Sequence, residues 1–437
     1  MTGDVIEDRT WSQGRLAVRR AVEALRSGVP SRHSVAALGT GQSEIEDRFE
    51  ALLDLVAEGR GRCCGAAALL LGGGFGSGKS HLLTHLAQLA DSAGFVTSTI
   101  VISKETPLHD PVKVLRAAVS SAVASDGLRD VITEAAVTLD PDSLRYVEFT
   151  RWLRSPGNVL DERFDATVFL HQRLSGGEVP GGDEEFVDAI VRFWSGDPMP
   201  IADLRRQLKA AGVAGEYTFT PIKGKDLARQ RLRFLAQLLR AAGHAGWVLL
   251  FDEVELIGRY SLLQRGRSYA EMARWIDGDP ADVDAPLVAV LSMTDDFEAA
   301  VLSTRNDREQ VPVKLRNKQM LEYDELAAAS ETGMRHIEHD MVPLTPPDAA
   351  ELDRAYQTLK RLHADAYAWE PPDVPGLERL GTTRMRQYVR AWINEWDLVR
   401  FDPTYRPSSE SLGIASDYTE QDEPGVDDID RSASNSE

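Results

Sequence analysis

The chain of 437 residues is 43% apolar and 27% charged, the balance of a globular protein with core enough for one large domain or two. Its formal charge of −20 repels nucleic acid in bulk, so contact with duplex DNA needs a local basic patch. No apolar run approaches the ~18 residues of a membrane helix, segment 1–11 is too polar for a signal peptide, and the adjacent Cys63 and Cys64 exclude a disulfide framework, so a reducing cytoplasm is expected.

Apolar residues at helical spacing over 11–26 (Leu16, Val18, Ala21, Val22, Leu25) predict a helix broken by Gly28-Val29-Pro30-Ser31. A second is predicted over Ser43–Ala57, and residues 1–58 are expected to pack on the domain that follows. Ala66–Leu71 reads as a buried strand, and a helix begins near His81. Between them stands Gly73-x-x-x-x-Gly78-Lys79-Ser80, the full P-loop pattern. Without Cβ atoms in the way, the backbone N–H groups of Gly73, Gly74, Phe75, Gly76, Ser77 and Gly78 can curl around phosphate oxygens. Lys79 then neutralises the β- and γ-phosphates of ATP, and Ser80 offers its hydroxyl to Mg²⁺. His81 joins the nucleotide-binding set by position, with helix packing as its plainer role.

Phe95–Ser103 predicts a second strand and Val112–Ala124 a helix. Residues 125–221 lose the strand rhythm and read as a helical insertion. After a helix over Leu227–Ala242, Val248–Glu253 (VLLFDE) predicts a central strand with two carboxylates at its end. At the carboxyl edge of a parallel sheet, where ligands sit, Asp252 would orient Mg²⁺ and Glu253 would polarise the attacking water. Glu255 reads as structural. Pro286–Met293 predicts a further strand tipped by Ser292 and Thr294, and His339–Leu344 a last short one preceded by Arg335. Residues 346–407 have the layout of a small helical lid, with Arg384 and, in reserve, Arg386 opening its last helix. Nine acidic residues and one arginine in 409–437 predict a disordered acidic tail from 408.

The expected fold is therefore α/β: a P-loop NTPase, AAA+-like, with a parallel sheet flanked by helices (59–345), a helical insertion and a helical lid. Similarity to AAA+ ATPases implies that Ser292 or Thr294 senses the γ-phosphate, unless they only end the strand and cap a turn. It implies that Arg384 reaches the nucleotide from the lid. It also implies that Arg335 acts as a finger in a neighbouring copy of a homo-oligomer, with Arg305, Arg308 and Arg316 as competitors. The linker 28–39 is where such proteins hold adenine.

Longer stretches narrow the resemblance. Arg19–Pro30, Gly72–Leu83 (GGGFGSGKSHLL), Val101–Leu108 (VISKETPL), Leu250–Leu263 (LFDEVELIGRYSLL) and Leu287–Phe297 resemble the BREX-system ATP-binding proteins of bacterial anti-phage defence, BrxD-like. VISKETPL and DEVELIGRYS carry most of the specificity. The resemblance implies an initiator-like ATPase working with other BREX defence proteins on phage DNA. Initiator ATPases carry a winged-helix DNA-binding domain after the lid, and the 30 residues that follow 407 here are too few for one. Duplex DNA would then meet Ile201–Ala211, with Arg205, Arg206 and Lys209, or not be bound at all. The alternatives are a nucleotide-gated DNA-binding or scaffold module and a phosphotransferase.

Overall fold

Runs of β-branched and leucine residues too short for a helix build the centre of the molecule. The computed structural model describes residues 3–59, 67–124, 130–156, 158, 160–179, 184–278, 285–374 and 385–406; Cys63, Cys64, Arg384 and the tail 408–437 lie outside them. Strands β1 (Ala68–Gly72), β2 (Val96–Val101), β3 (Trp247–Asp252), β4 (Leu287–Met293) and β5 (Val342–Pro343) pair in parallel in the order β2-β3-β4-β1-β5. Every residue of β3 and β4 is buried, as expected for strands covered on both faces.

The two-residue period of the strands divides the core. Val248 and Leu250 of β3 and Val288 and Val290 of β4 face helices α3 (Ser43–Ala57) and α4 (Lys79–Ser92), meeting Phe49, Leu53, Leu83 and Leu86. Leu249, Phe251, Ala289 and Leu291 join the opposite core with α5 (Pro111–Ser120), α11 (Gly224–Ala241) and α12 (Leu262–Asp277). Between β2 and β3 the chain runs through α6 (Val131–Val137), α7 (Leu144–Leu153), α8 (Glu162–Ser175), α9 (Glu184–Ser195), α10 (Ile201–Ala210) and α11 (Gly224–Ala241). This helical stretch continues the second core: Phe164 of α8 and Trp194 of α9 both pack on Phe234 of α11, at ring distances of 4.9 and 5.4 Å.

After β3 come a 3-10 turn (Val254–Arg259) and α12 (Leu262–Asp277). A π-helix (Glu298–Thr304), α13 (Asp307–Arg316) and α14 (Leu321–His339) follow β4. Here the structure corrects the expectation for Arg335. It lies inside α14 rather than before a strand, and the expected strand over 339–344 shrinks to Val342–Pro343. The cause is a close crossing with α12. A Cβ at Gly333 would overlap the carbonyl of Tyr269, and Ser330 Oγ donates to Gly266 O at 2.7 Å, so contact holds α14 helical to His339.

The chain ends in α15 (Ala349–Tyr367) and α16 (Met385–Phe401). Their partner is the first helix, α1 (Gly3–Ser27): Val22 and Leu25 share a core with Leu359, Ile393 and Trp396. Residues 1–58 thus do not pack on the sheet as one segment. α3 does so; α1 joins α15 and α16 because its apolar stripe matches theirs; and α2 (Arg32–Leu38), opened by a Ser31/Ser34 capping box, bridges the two.

Candidate nucleotide site

The turn from β1 to α4 has the shape its glycines permit. Gly76 and Gly78 take φ of 82° and 109°, and Gly78 N-caps α4 in a conformation closed to most side chains. Gly73 is needed for space, since a Cβ there would sit 2.6 Å from Ser77 Oγ. That hydroxyl is buried without a hydrogen-bond partner. Lys79 is buried and folds back over the turn, its Nζ donating to Gly73 O at 2.7 Å and Gly74 O at 3.3 Å. The first turn of any α-helix leaves backbone N–H groups without intrahelical partners, so the start of α4 beside Lys79 is a place suited to an anion.

Two strands bring the carboxylates to this edge. Asp252, buried at the end of β3, accepts from Ser292 Oγ of β4 at 2.9 Å and from the Glu253 N–H at 2.9 Å, both through Oδ1. Ser292 therefore holds Asp252. Thr294, also buried, closes the next turn by accepting from the Phe297 N–H at 3.3 Å. Glu253 has φ of 57°, a strained left-handed backbone that costs about 1–3 kcal/mol in a non-glycine residue and turns its side chain out of the strand path. Partial desolvation, then the charge of Asp252, push the Glu253 carboxyl above its ordinary range, while Lys79, Arg259 and Arg386 pull it down.

Glu255, read as structural from sequence, enters the same electrostatic group. Burial pushes its carboxyl up to about 7 against the pull of Lys79, and its Oε2 is buried without a partner. Asp295 is a further addition: its carboxylate oxygens lie 3.8 and 3.9 Å from where a Cβ on Gly74 would stand. Neither carries a sequence signal apart from its place near a strand end.

A cavity of about 330 Å³ opens beside the glycine turn. Ser77, Gly78, Ser80 and His81 line one wall; Gly28, Val29, Pro30 and Gly39–Gln42 of the linker another; Leu344 and Thr345 after β5, and Met385, Arg386 and Val389 of α16, complete it. The linker is pinned there. Gln42 exchanges two 2.9 Å hydrogen bonds with the backbone of Thr345, and His81 Nε2 pairs with Gly39 O at 2.8 Å. Burial holds the His81 imidazole below its ordinary range despite the Gly39 bond, so it serves as a neutral tether between linker and α4. Sequence reasoning gave no role to Gln42 or Thr345, whose pairing joins residues some three hundred positions apart.

Arg386 is the arginine brought to the turn. Its N–H donates to Gly76 O at 3.3 Å, and its guanidinium lies over the Phe75 ring, 5.5 Å from the centroid. Arg384 lies outside the described residues. Arg335 is exposed and donates to Thr332 Oγ1 of its own helix at 2.8 Å. Its competitors are engaged: Arg305 with Gly258 O at 2.6 Å, Arg308 with Glu338 at 2.7 Å, and Arg316 with both oxygens of Glu331 at 2.8 Å. On α10, Arg206 pairs with Asp203 at 2.9 Å and Arg205 covers Phe219, so two of its three cations are locally committed.

The two most specific stretches of sequence pack on each other beside this site. Ile102 N–H donates to Asp252 O at 3.0 Å, and Tyr260 Oη donates to Ser103 O at 2.7 Å. Arg265 and Asp307, both buried, pair at 2.7 and 2.8 Å under the same loop, and Tyr269 Oη adds a third bond to Asp307 at 2.7 Å.

An all-parallel five-stranded sheet flanked by helices, with a glycine-rich turn feeding a helix at its carboxyl edge, defines an α/β protein whose architecture is compatible with a P-loop NTPase. Within that class the chain matches the family model of the BREX system ATP-binding protein BrxC/D over residues 15–131 and 177–396, and it belongs to that family. The unmatched gap, 132–176, covers most of α6 through α8. No curated relative and no solved structure is detectably similar to the chain. Among the described residues, no helix is long and apolar enough to cross a membrane.

Proposed function

We propose that the chain is a Mg²⁺-ATP-dependent ATPase of AAA+ type, working as a switch or motor in BREX defence. One observation carries this reading: β4 lies between β1 and β3, and Ser292 at its tip holds Asp252 at the edge where the glycine turn opens. A polar strand tip interposed between phosphate cradle and carboxylate couples the two, as an ATP-driven switch requires.

In this reading the triphosphate enters the cradle. There Lys79 exchanges its carbonyl partners for phosphate oxygens and the unpartnered Ser77 hydroxyl gains an acceptor. Adenosine occupies the adjoining cavity, whose volume falls within the range of small-ligand sites. Asp252 Oδ2 and Ser80 would hold Mg²⁺, which supplies charge neutralisation at the β- and γ-phosphates. Glu253 orients and deprotonates the attacking water, Ser292 positions Asp252, and Thr294 braces the strand tip. Arg384 or, in reserve, Arg386 reaches the nucleotide from the lid formed by α15 and α16, the contact of Arg386 with the turn supporting the second, and Arg335 serves a second copy of the chain.

Phosphate release by the purified protein, with and without duplex DNA, tests the reading beside Lys79→Ala and Glu253→Gln. Turnover that both substitutions abolish is expected. Failure of the wild type to bind ATP would overturn the proposal. Binding without release under either condition would favour the nucleotide-gated DNA-binding or scaffold module instead.

A further inference from the structure

The turn 73–78 consists of four glycines, a serine and Phe75. An aromatic residue is not needed for the turn, and Phe75 does not serve the core, since 40% of it is exposed. What its ring meets is the guanidinium of Arg386, 5.5 Å from the centroid. The same residue's backbone N–H donates to Gly76 O at 3.3 Å, so α16 is fastened to the turn by both a side chain and a main chain. The stem of Arg386 is backed from the other side by the linker. A Cβ at Gly28 would stand 3.4 Å from its Cδ and Nε, and the φ of 75° at Gly28 disfavours any side chain there.

Three parts of the molecule therefore close on one arginine: the glycine turn, the linker and α16. Met385, Arg386 and Val389 also line the cavity, together with Ser77, Gly78 and Ser80. A guanidinium seated over a ring uses its face for the cation–π contact and leaves its in-plane N–H donors free for an oxyanion. The perch can thus hold Arg386 without consuming the donors a phosphate would need.

We propose that Phe75 is a positioning residue: its ring holds Arg386, and through it α16, over the mouth of the cavity, setting how fast a nucleoside phosphate leaves. This rests on the reading of the cavity as the nucleotide site. The contact itself does not, and the test separates the two.

Four variants decide it: Phe75→Leu, which keeps bulk and loses the ring; Phe75→Trp, which keeps a ring face; Arg386→Gln; and the double variant Phe75→Leu/Arg386→Gln. Release of a fluorescent N-methylanthraniloyl-ADP, followed by stopped flow, should quicken about two- to fivefold in Phe75→Leu, the range of an exposed cation–π contact. Phe75→Trp should release at the wild-type rate or more slowly, and the double variant no faster than Arg386→Gln alone. A wild-type rate in Phe75→Leu, or multiplied effects in the double variant, would overturn the proposal. Amide hydrogen exchange over 385–390 in nucleotide-free protein should rise in Phe75→Leu and return to the wild-type level in Phe75→Trp. Unchanged exchange would refute the contact whatever the nucleotide does. Faster exchange in Phe75→Leu, with no ADP analogue bound by any variant, would uphold the contact and remove the nucleotide reading.

Discussion

The sheet and the three-helix unit of α1, α15 and α16 are stabilised in different ways. In the sheet, β3 and β4 bury every residue between two helical layers, and the polar groups of that core, Ser98 under Trp247 Nε1 and Arg265 with Asp307, are enclosed together with their partners. The three-helix core is smaller and laced with polar groups. His363, fully buried, pairs with Asp397 at 3.1 Å and accepts from Trp369 Nε1 at 2.9 Å. Asp397 also pairs with Arg26 of α1, and Trp396 Nε1 reaches Pro372 O at 3.0 Å. Burial pushes the Asp397 carboxyl up, but the His363 bond and Arg26 outweigh it and hold it below its ordinary range. The enclosed part carries the glycine-rich turn and Asp252, and the three-helix unit, whose Arg26 and Asp397 stay partly exposed, supplies Met385, Arg386 and Val389 to the lining of the cavity.

The comparison breaks most visibly at the chemistry. Lys79→Ala and Glu253→Gln should each lower phosphate release by about a hundredfold or more, the scale of removing a preorganised charge or general base. Glu253→Gln should still bind ATP, because in the proposed reading Glu253 acts on water while Lys79 meets the phosphates. Equal loss of binding in both would mean that Glu253 holds nucleotide rather than acting on water.

Stability separates the two regions next. Trp396→Ala empties a fully buried site in the three-helix core and should cost about 3–5 kcal/mol there. Faster hydrogen exchange should be confined to α1, α15 and α16. A matching rise in β3 and β4 would show one cooperative unit instead of two. Gly333→Ala acts on the other side: forcing α14 off α12 should cost about 1–3 kcal/mol and lower the Tm of the sheet region while sparing α16.

A further expected effect is pH-dependent. The Glu255 carboxyl titrates at about 7 in the folded protein against 4.5 for an unperturbed group, so the folded state holds its proton more tightly. That contribution is present in full below about pH 4.5 and is lost as pH rises through about 7. Glu255→Gln should remove this part of the fall in stability between pH 5 and pH 8. Denaturant melts of both proteins at the two pH values measure it, and an unchanged slope would place the Glu255 side chain in solvent.

The local geometry of the candidate site was legible in single stretches of chain: the glycines of 73–78 announce a tight turn between β1 and α4, and VLLFDE announces a buried strand ending in carboxylates. Strands of five to seven apolar residues and helices with a clean stripe, such as Ser43–Ala57, were equally plain, since each is a local response to burial on one face or two. Family membership was legible too, because VISKETPL and DEVELIGRYS are held together by their own packing at Tyr260 and Ser103.

Other decisions belonged to the tertiary structure. That β4 lies between β1 and β3, and that Ser292 rather than Thr294 grips Asp252, follows from strand order, which no local period encodes. That α1 leaves α3 to join helices more than three hundred residues away follows from which apolar stripes fit together. Arg335 fell inside a helix because Gly333 let α14 close on α12, and Arg386 reached the glycine turn because α16 is oriented by contacts with α1 and the linker. Local sequence sets what a segment can become; contact between distant segments sets which of its side chains meet.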